Sequence, residues 1–222
     1  MLAMPRLLFE KKENAIWISH LDLMRLFQRA FKRAGYVLTH TQGFNPRPSV
    51  SIALPLSVGV ESCCEFLDFD LEGEWGDYQE LVSRLNDALT DGIVVLDAYE
   101  KGKKIGELSY LRSILTLEYD TGVPVGAEEV IKQLLTSSEV IVTKKTKNGP
   151  QEQNIIPMIH SVKIVKRSET LLELNVIHCC QNPTLNPTQL ISAIEKYLPA
   201  FTPDFSRSRR VEVYDSKMQI FR

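Results

Sequence analysis

The sequence predicts an α+β protein built from two ferredoxin-like (βαββαβ-type) halves in tandem, each an antiparallel sheet with helices on one face. Three observations lead there. Over the first hundred residues, apolar runs of period two and apolar stripes at helical spacing follow one another in the order β-α-β-β-α-β, the split arrangement in which two helices cover one side of a sheet. Nearly the same order returns in the second half. Between them lies KGKKIGELS (residues 101–109), polar and carrying two glycines, which reads as a boundary. The expected domains are residues 1–105 and 106–222. They are related by the order of their elements and not by a residue-level repeat.

Taken in order, residues 7–9 and 15–18 read as a strand or short hairpin interrupted by the polar KKEN. A helix then begins at Ser19, an N-cap residue followed three positions on by Asp22, which predicts reciprocal capping of two backbone amides. Met24, Phe27, Phe31 and Ala34 make its apolar stripe, and Gly35 ends it. The loop GFNPRP (residues 43–48) follows. Its prolines fix φ and push Asn45 and Arg47 towards extended geometry, so the loop is stiff. Val50, Ile52 and Leu54 share one face of the next strand, and Leu67, Phe69 and Leu71 one face of another. Tyr78, Leu81, Val82, Leu85 and Leu89 mark a helix over 77–89, with a closing strand over 93–99. In the second half the pattern predicts strands at 114–119, 140–145, 155–165, 171–179 and 209–214, and helices at 127–135 and 187–197. Asn148-Gly149 signals a hairpin turn, and Asn186, Pro187 and Gln189 mark the last helix start.

Composition narrows the class of protein more than its function. Of 222 residues, 44% are hydrophobic and 24% charged, values ordinary for a globular chain. No run of about 18 apolar residues is available to span a bilayer, and the N-terminal stretch lacks a signal-peptide core, so a cytoplasmic protein without a membrane partner is expected. The cysteines are two adjacent pairs, Cys63-Cys64 and Cys179-Cys180. Neighbours on a strand point to opposite faces, which suits buried thiols better than a disulfide or a chelate. His178-Cys179-Cys180 is read as a strand end for the same reason. The sequence contains no GxxxxGK[ST], no GxGxxG after a strand, no pair of CxxC motifs and no CxxxCxxC, so neither a metal nor a cofactor is expected on this chain.

Charge distribution supplies the candidate surface. The net charge is only −2, but basic residues gather over 25–33, 101–104, 144–147 and 207–210, and acidic ones over 61–91. On the first helix, Arg25, Arg29, Lys32 and Arg33 lie opposite the apolar stripe, a pattern that neutralises phosphates or simply faces solvent. His20 and Asp22 stand at the start of that helix. A helix N-terminus disfavours a cation, leaving imidazole as a base or ligand, or else as a hydrogen-bonding group that fixes the turn. In the stiff loop, Phe44, Asn45 and Arg47 combine a stacking ring, an amide and a guanidinium, which can hold a base, a carboxylate or a phosphate. The alternative is that Phe44 plugs the core and Arg47 is solvated.

The segments SHLDLMR (19–25), RAFKRAG (29–35) and GFNPRPSVSIALPLSVGVES (43–62) resemble the hallmark region of the radical-SAM-linked proteins, a bacterial family of unknown function encoded beside, or fused to, a radical-SAM protein. NIIPMIHSV (154–162) and RRVEVYD (209–215) resemble it more faintly. The chain departs from the family pattern at Arg47, where histidine is usual, and at Ser49, where a basic residue is frequent. The resemblance implies that a partner enzyme carries the iron-sulfur cluster and S-adenosylmethionine, while this chain recognises or presents a substrate. The expected function is therefore a non-catalytic accessory protein for a radical-SAM enzyme, with RNA (tRNA or rRNA) as the substrate suited to a basic helix. Fold analogy alone offers a metal-independent RNA-processing endonuclease, with His20 as base and Arg25, Arg29 and Arg47 stabilising the charged phosphorane. A protein-protein adaptor whose basic stripe meets an acidic surface is a third reading.

Overall fold

Strand β1 (Pro5–Lys11), helix α1 (His20–Arg33), strands β2 (Val50–Ile52) and β3 (Glu61–Phe69), helix α2 (Tyr78–Ala88) and strand β4 (Ile93–Glu100) form a β-α-β-β-α-β unit in the computed structural model. The structure describes residues 4–73, 75–100, 102–146 and 149–222. Lys101, Lys147 and Asn148, named above in the basic clusters and the hairpin turn, lie outside them. The chain divides into two compact units, Met1–Glu107 with Arg222, and Leu108–Phe221, a division that falls inside KGKKIGELS. Among the described residues, no helix is long and apolar enough to cross a membrane.

In the first unit the strands pair antiparallel in the order β4-β1-β3-β2, the ferredoxin-like arrangement. Alternation sends Leu7 and Phe9 of β1 and Leu67 and Phe69 of β3 to one side, where Leu23, Phe27 and Phe31 of α1 and Leu81 and Leu85 of α2 close over them. Phe9 and Phe27 meet edge to face at 4.8 Å. Each such side chain, fully buried, contributes about 1.5–3 kcal/mol, so this face fixes the position of α1.

Three expectations for this unit need correction. Leu54 does not share a strand with Val50 and Ile52: β2 ends at Ile52, and Leu54, at φ +46°, lies beyond it. Residues 15–18 do not extend β1; Glu13–Trp17 is a 3-10 turn. The buried ammonium of Lys11 explains it, donating to the carbonyls of Ile16 at 3.0 Å and Ile18 at 2.8 Å. A turn gathers carbonyls around one donor, whereas a strand directs them into its ladder. The cap of α1 also differs from a reciprocal box. The Asp22 amide donates to Ser19 Oγ at 3.2 Å, but the Asp22 carboxylate accepts the Ser19 hydroxyl at 2.7 Å and not its backbone N–H. Aspartate is one methylene shorter than the glutamate that normally makes the return bond.

The second unit comprises β5 (Leu108–Glu118), α3 (Ala127–Leu135), β6 (Ile141–Thr146), β7 (Gly149–Asn154), β8 (Ile159–Lys166), β9 (Leu171–Cys179), α4 (Thr188–Tyr197) and β10 (Phe205–Asp215). Its sheet runs β10-β5-β9-β8, again antiparallel, while β6 and β7 form a separate hairpin. Without that hairpin the order is once more β-α-β-β-α-β. Leu115, Leu117, Leu172, Leu174 and Val176 face Ile131 and Leu135 of α3 and Leu190 and Ile194 of α4. The strand expected over 155–165 begins only at Ile159, because Ile156–Met158 form a 3-10 turn in which Pro157 has no N–H for a ladder. At the start of α4, Asn186 Oδ1 accepts from the Thr188 amide and Gln189 Oε1 accepts from the Asn186 amide, each at 3.0 Å. His178 is fully buried, with Nε2 2.9 Å from the Ser113 hydroxyl, and burial pulls its pKa down to about 4. All four cysteines are free thiols.

Candidate binding surface of the first unit

The surface is organised by the two ends of α1. At its start, Ser19 caps the helix, and the Asp22 carboxylate is held below the usual range first by the Ser19 hydroxyl and then by Arg25. Arg25 Nη1 lies 3.0 Å from Asp22 Oδ1. Asp22 is therefore engaged in the cap and in orienting Arg25. His20 is half-buried, and its Nδ1 has no hydrogen-bond partner among the described residues. Arg25, Arg29, Lys32 and Arg33 are all exposed on the polar face, as their spacing requires. Arg33 donates to the Ala88 carbonyl at the end of α2, which ties the two helices.

At the other end, α1 closes in a Schellman motif. The Tyr36 amide donates to the Phe31 carbonyl at 2.9 Å and the Gly35 amide to Lys32 at 3.2 Å, with Gly35 at φ +86°. The chain then runs back along the end of β3. The Thr39 amide donates to the Asp70 carbonyl at 3.0 Å, and Thr39 Oγ1 donates to the Asp70 carboxylate at 2.9 Å. Across the neck of the loop, the Ser49 amide donates to the Thr39 carbonyl and the Thr41 amide to the Arg47 carbonyl, both at 2.8 Å. The Arg47 amide returns a bond to Thr41 Oγ1 at 3.1 Å.

The neck is thus closed by backbone bonds, and residues 41–47 beyond and within it are exposed. Phe44 is fully exposed, so it does not plug the core. The side chains of Asn45 and Arg47 face solvent beside it. The stiffness read from the prolines is built into the neck, which presents the tip without burying it.

A 14-residue helix is about 20 Å long. His20, Asp22 and Arg25 therefore sit at one end of α1 and Phe44, Asn45 and Arg47 project from the other, with Arg29 between. The structure pairs Asp22 with Arg25 and sets Phe44, Asn45 and Arg47 on one loop, but it does not gather the six, and His20, two positions from Asp22, lies on another side of the helix. In particular, His20 and Arg47 do not share one site, which removes Arg47 from the phosphorane-stabilising set expected of an endonuclease.

One feature at the loop end escaped the sequence reading. Gly35, Tyr36, Val37, Glu72, Trp75, Gly76, Glu80 and Arg84 line an open hollow of about 280 Å³. Arg84 pairs with Glu80 at 2.6 Å and lies 5.9 Å over the Tyr36 ring. Tyr36 Oη is buried without a hydrogen-bond partner among the described residues, and burial raises its pKa. The available signal was an aromatic residue directly after the terminating glycine, where the side chain folds back on the helix end. Among the described residues, no group of three or more His, Cys, Asp or Glu side chains is placed to hold a metal.

Fold and surface together define a tandem ferredoxin-like α+β protein with a projecting, neck-closed loop. The chain belongs to the family described as "Uncharacterized protein conserved in bacteria (DUF2344)", which matches residues 5–187 and so includes α1, the loop and the hollow. No curated protein sequence matches it. Among solved structures it is similar to a chain of a Cbf5-Nop10-Gar1 complex, at 8% identity and a TM-score of 0.53, covering 96% of this chain and 49% of that one. It also matches a chain of the archaeal box H/ACA sRNP Nop10-Cbf5 complex, at 8% identity and a TM-score of 0.47, covering 94% and 47%. The chain spans about half the length of these solved chains. At such identity the first likeness is one of fold.

Proposed function

We propose that this chain is a non-catalytic accessory protein that binds an RNA substrate and presents it to a radical-SAM enzyme, the partner carrying the iron-sulfur cluster and S-adenosylmethionine. The observation that carries the reading is the full exposure of Phe44 at the tip of a loop whose neck is closed by paired backbone bonds. A lone exposed apolar residue is ordinary on a mobile surface. Here the ring is held out on a rigid support beside an amide and a guanidinium, a combination that stacks on and hydrogen-bonds an unpaired base. Arg25, Arg29 and Lys32 on the exposed face of α1 supply phosphate-neutralising charge. The missing cofactor motifs agree with a division of labour in which the reaction belongs to another chain.

The test has two arms. In filter binding with tRNA, Phe44→Ala should weaken affinity by about 1–3 kcal/mol, and Arg25→Glu with Arg29→Glu should flatten the salt dependence. Co-purification of the tagged chain should recover a radical-SAM protein. Absence of both RNA affinity and such a partner would sink the proposal. RNA cleavage in chelator that disappears in His20→Ala would replace it with the endonuclease reading.

A further inference from the structure

The sheet of the second unit has one face without a helix of that unit. Alternation turns Leu115, Leu117, Leu172, Leu174 and Val176 towards α3 and α4, so Tyr110 and Arg112 of β5 and Asn175 of β9 stand on the opposite side. Strand register aligns Arg209 of β10, Ile114 of β5, Asn175 of β9 and Lys163 of β8 in one row. From the strand spacing, the backbone positions of Arg209 and Lys163 are about 14 Å apart, with Ile114 and Asn175 between them. Lys163 and Arg209 are exposed; Arg112 Nε donates to Asn175 Oδ1 at 3.2 Å. A bulge in β8 between Ile159 and Ser161 redirects the chain at His160, whose ring lies 5.1 Å from that of Tyr110.

The acids on this face are largely spoken for. Glu118 pairs with Arg207, Glu173 pairs with Arg167 at 2.5 Å, and Glu212 accepts from its neighbour's amide at 2.9 Å. What remains outward is positive charge around the half-buried Tyr110 ring, the exposed His160 ring and an amide. That is the chemistry by which a four-stranded sheet holds unpaired bases: aromatic faces for stacking, cations for the backbone, and an amide with a guanidinium for base edges.

We propose that this open face is a platform for single-stranded RNA, with Tyr110 and His160 stacking on bases and Lys163 and Arg209 meeting phosphates. The proposal rests on the preceding reading for the choice of RNA, and on different residues for the surface.

The experiment uses the full chain and a fluorescein-labelled single-stranded RNA of roughly 12 nucleotides, read by anisotropy, with a duplex of the same sequence as comparison. Lys163→Glu and Arg209→Glu, both at exposed positions, should each lower single-strand affinity about tenfold and reduce the salt slope by about one. Tyr110→Leu, which keeps apolar volume but not a stacking face, should lower affinity by a similar factor. Phe44→Ala, in the other unit, separates the two claims. If it weakens binding while the three sheet variants do not, the platform is overturned and the loop reading stands. If the sheet variants weaken binding and Phe44→Ala does not, the platform stands and the loop reading fails. Equal affinity for duplex and single strand, or loss of a bound acidic protein instead of RNA in the sheet variants, overturns the platform.

Discussion

Removing the carboxylate of Asp68 should unfold the first unit at markedly lower denaturant, and the geometry gives the size of the effect. Arg6 on β1 is fully buried. Its Nε and Nη2 donate to the two oxygens of Asp68 on β3 at 2.6 and 3.1 Å, Nη1 donates to the Lys103 carbonyl at 3.2 Å, and the guanidinium lies 5.6 Å over the Phe66 ring. Asp68→Ala takes away both carboxylate bonds and leaves a buried cation. Breaking a buried pair from one side costs about 3–5 kcal/mol, and because Arg6 keeps other contacts the lower end, about 3 kcal/mol, is expected. With a urea slope of about 2–3 kcal/mol/M, the midpoint should fall by roughly 1 M. Both tryptophans, Trp17 and Trp75, lie in the first unit, so their fluorescence reports its unfolding selectively. The companion variant Arg6→Met with Asp68→Leu removes both charges and should recover most of the loss, since replacing a buried pair by apolar groups is often neutral. A midpoint shift below about 0.3 M for Asp68→Ala, or a double variant no more stable than the single one, would refute the reasoning.

Two further outcomes follow from local geometry. Gly92 sits at φ +82°, and a Cβ there would lie 2.5 Å from the Lys12 carbonyl oxygen and 2.9 Å from the Ala15 Cβ. Gly92→Ala should therefore lower stability by more than about 1 kcal/mol in thermal unfolding, whereas Gly43→Ala, with open space around its Cβ position, should lower it less. His178 gives a pH signature. Its folded-state pKa, about 4, is below its unfolded value near 6.5, so the unfolded chain binds the extra proton between these limits. Stability from neutral His178 is complete above about 6.5, declines as pH falls towards 4, and amounts to about 3 kcal/mol over the window. In His178→Gln, which retains an amide for Ser113, the urea midpoint should vary less between those two pH values than in the parent chain.

The order of elements was legible because it rests on periodicity. Leu67 and Phe69 alternate with Phe66 and Asp68 in the sequence as they do across the sheet, and Phe27 and Phe31 share a helix face in both. What was not legible depended on partners distant in sequence or on polar strands. β7 is GPQEQN, without an apolar alternation; it forms because its backbone pairs with β6, as in Val142 opposite Gln153. The turn at Glu13–Trp17 is fixed by a buried ammonium that looks like surface charge in the one-dimensional string. In the candidate surface, the cap, the basic face and the stiff loop could be read from local signals. Their separation to opposite ends of α1 could be inferred from topology alone, but the full exposure of Phe44 could not. A phenylalanine between Gly43 and Asn45 gives no indication of whether it turns inward.

The paired bonds at the neck of the 41–47 loop have an evolutionary consequence. Its closure uses backbone groups and the Thr41 hydroxyl, so the identity of the tip side chains hardly enters the folding of the unit. Selection can then rewrite positions 43 to 46, or exchange the guanidinium of Arg47 for another head group, without first accumulating compensatory changes in the core. The scaffold and the tip of this loop can drift on separate clocks, and peptide tips grafted between Thr41 and Arg47 would inherit the same independence.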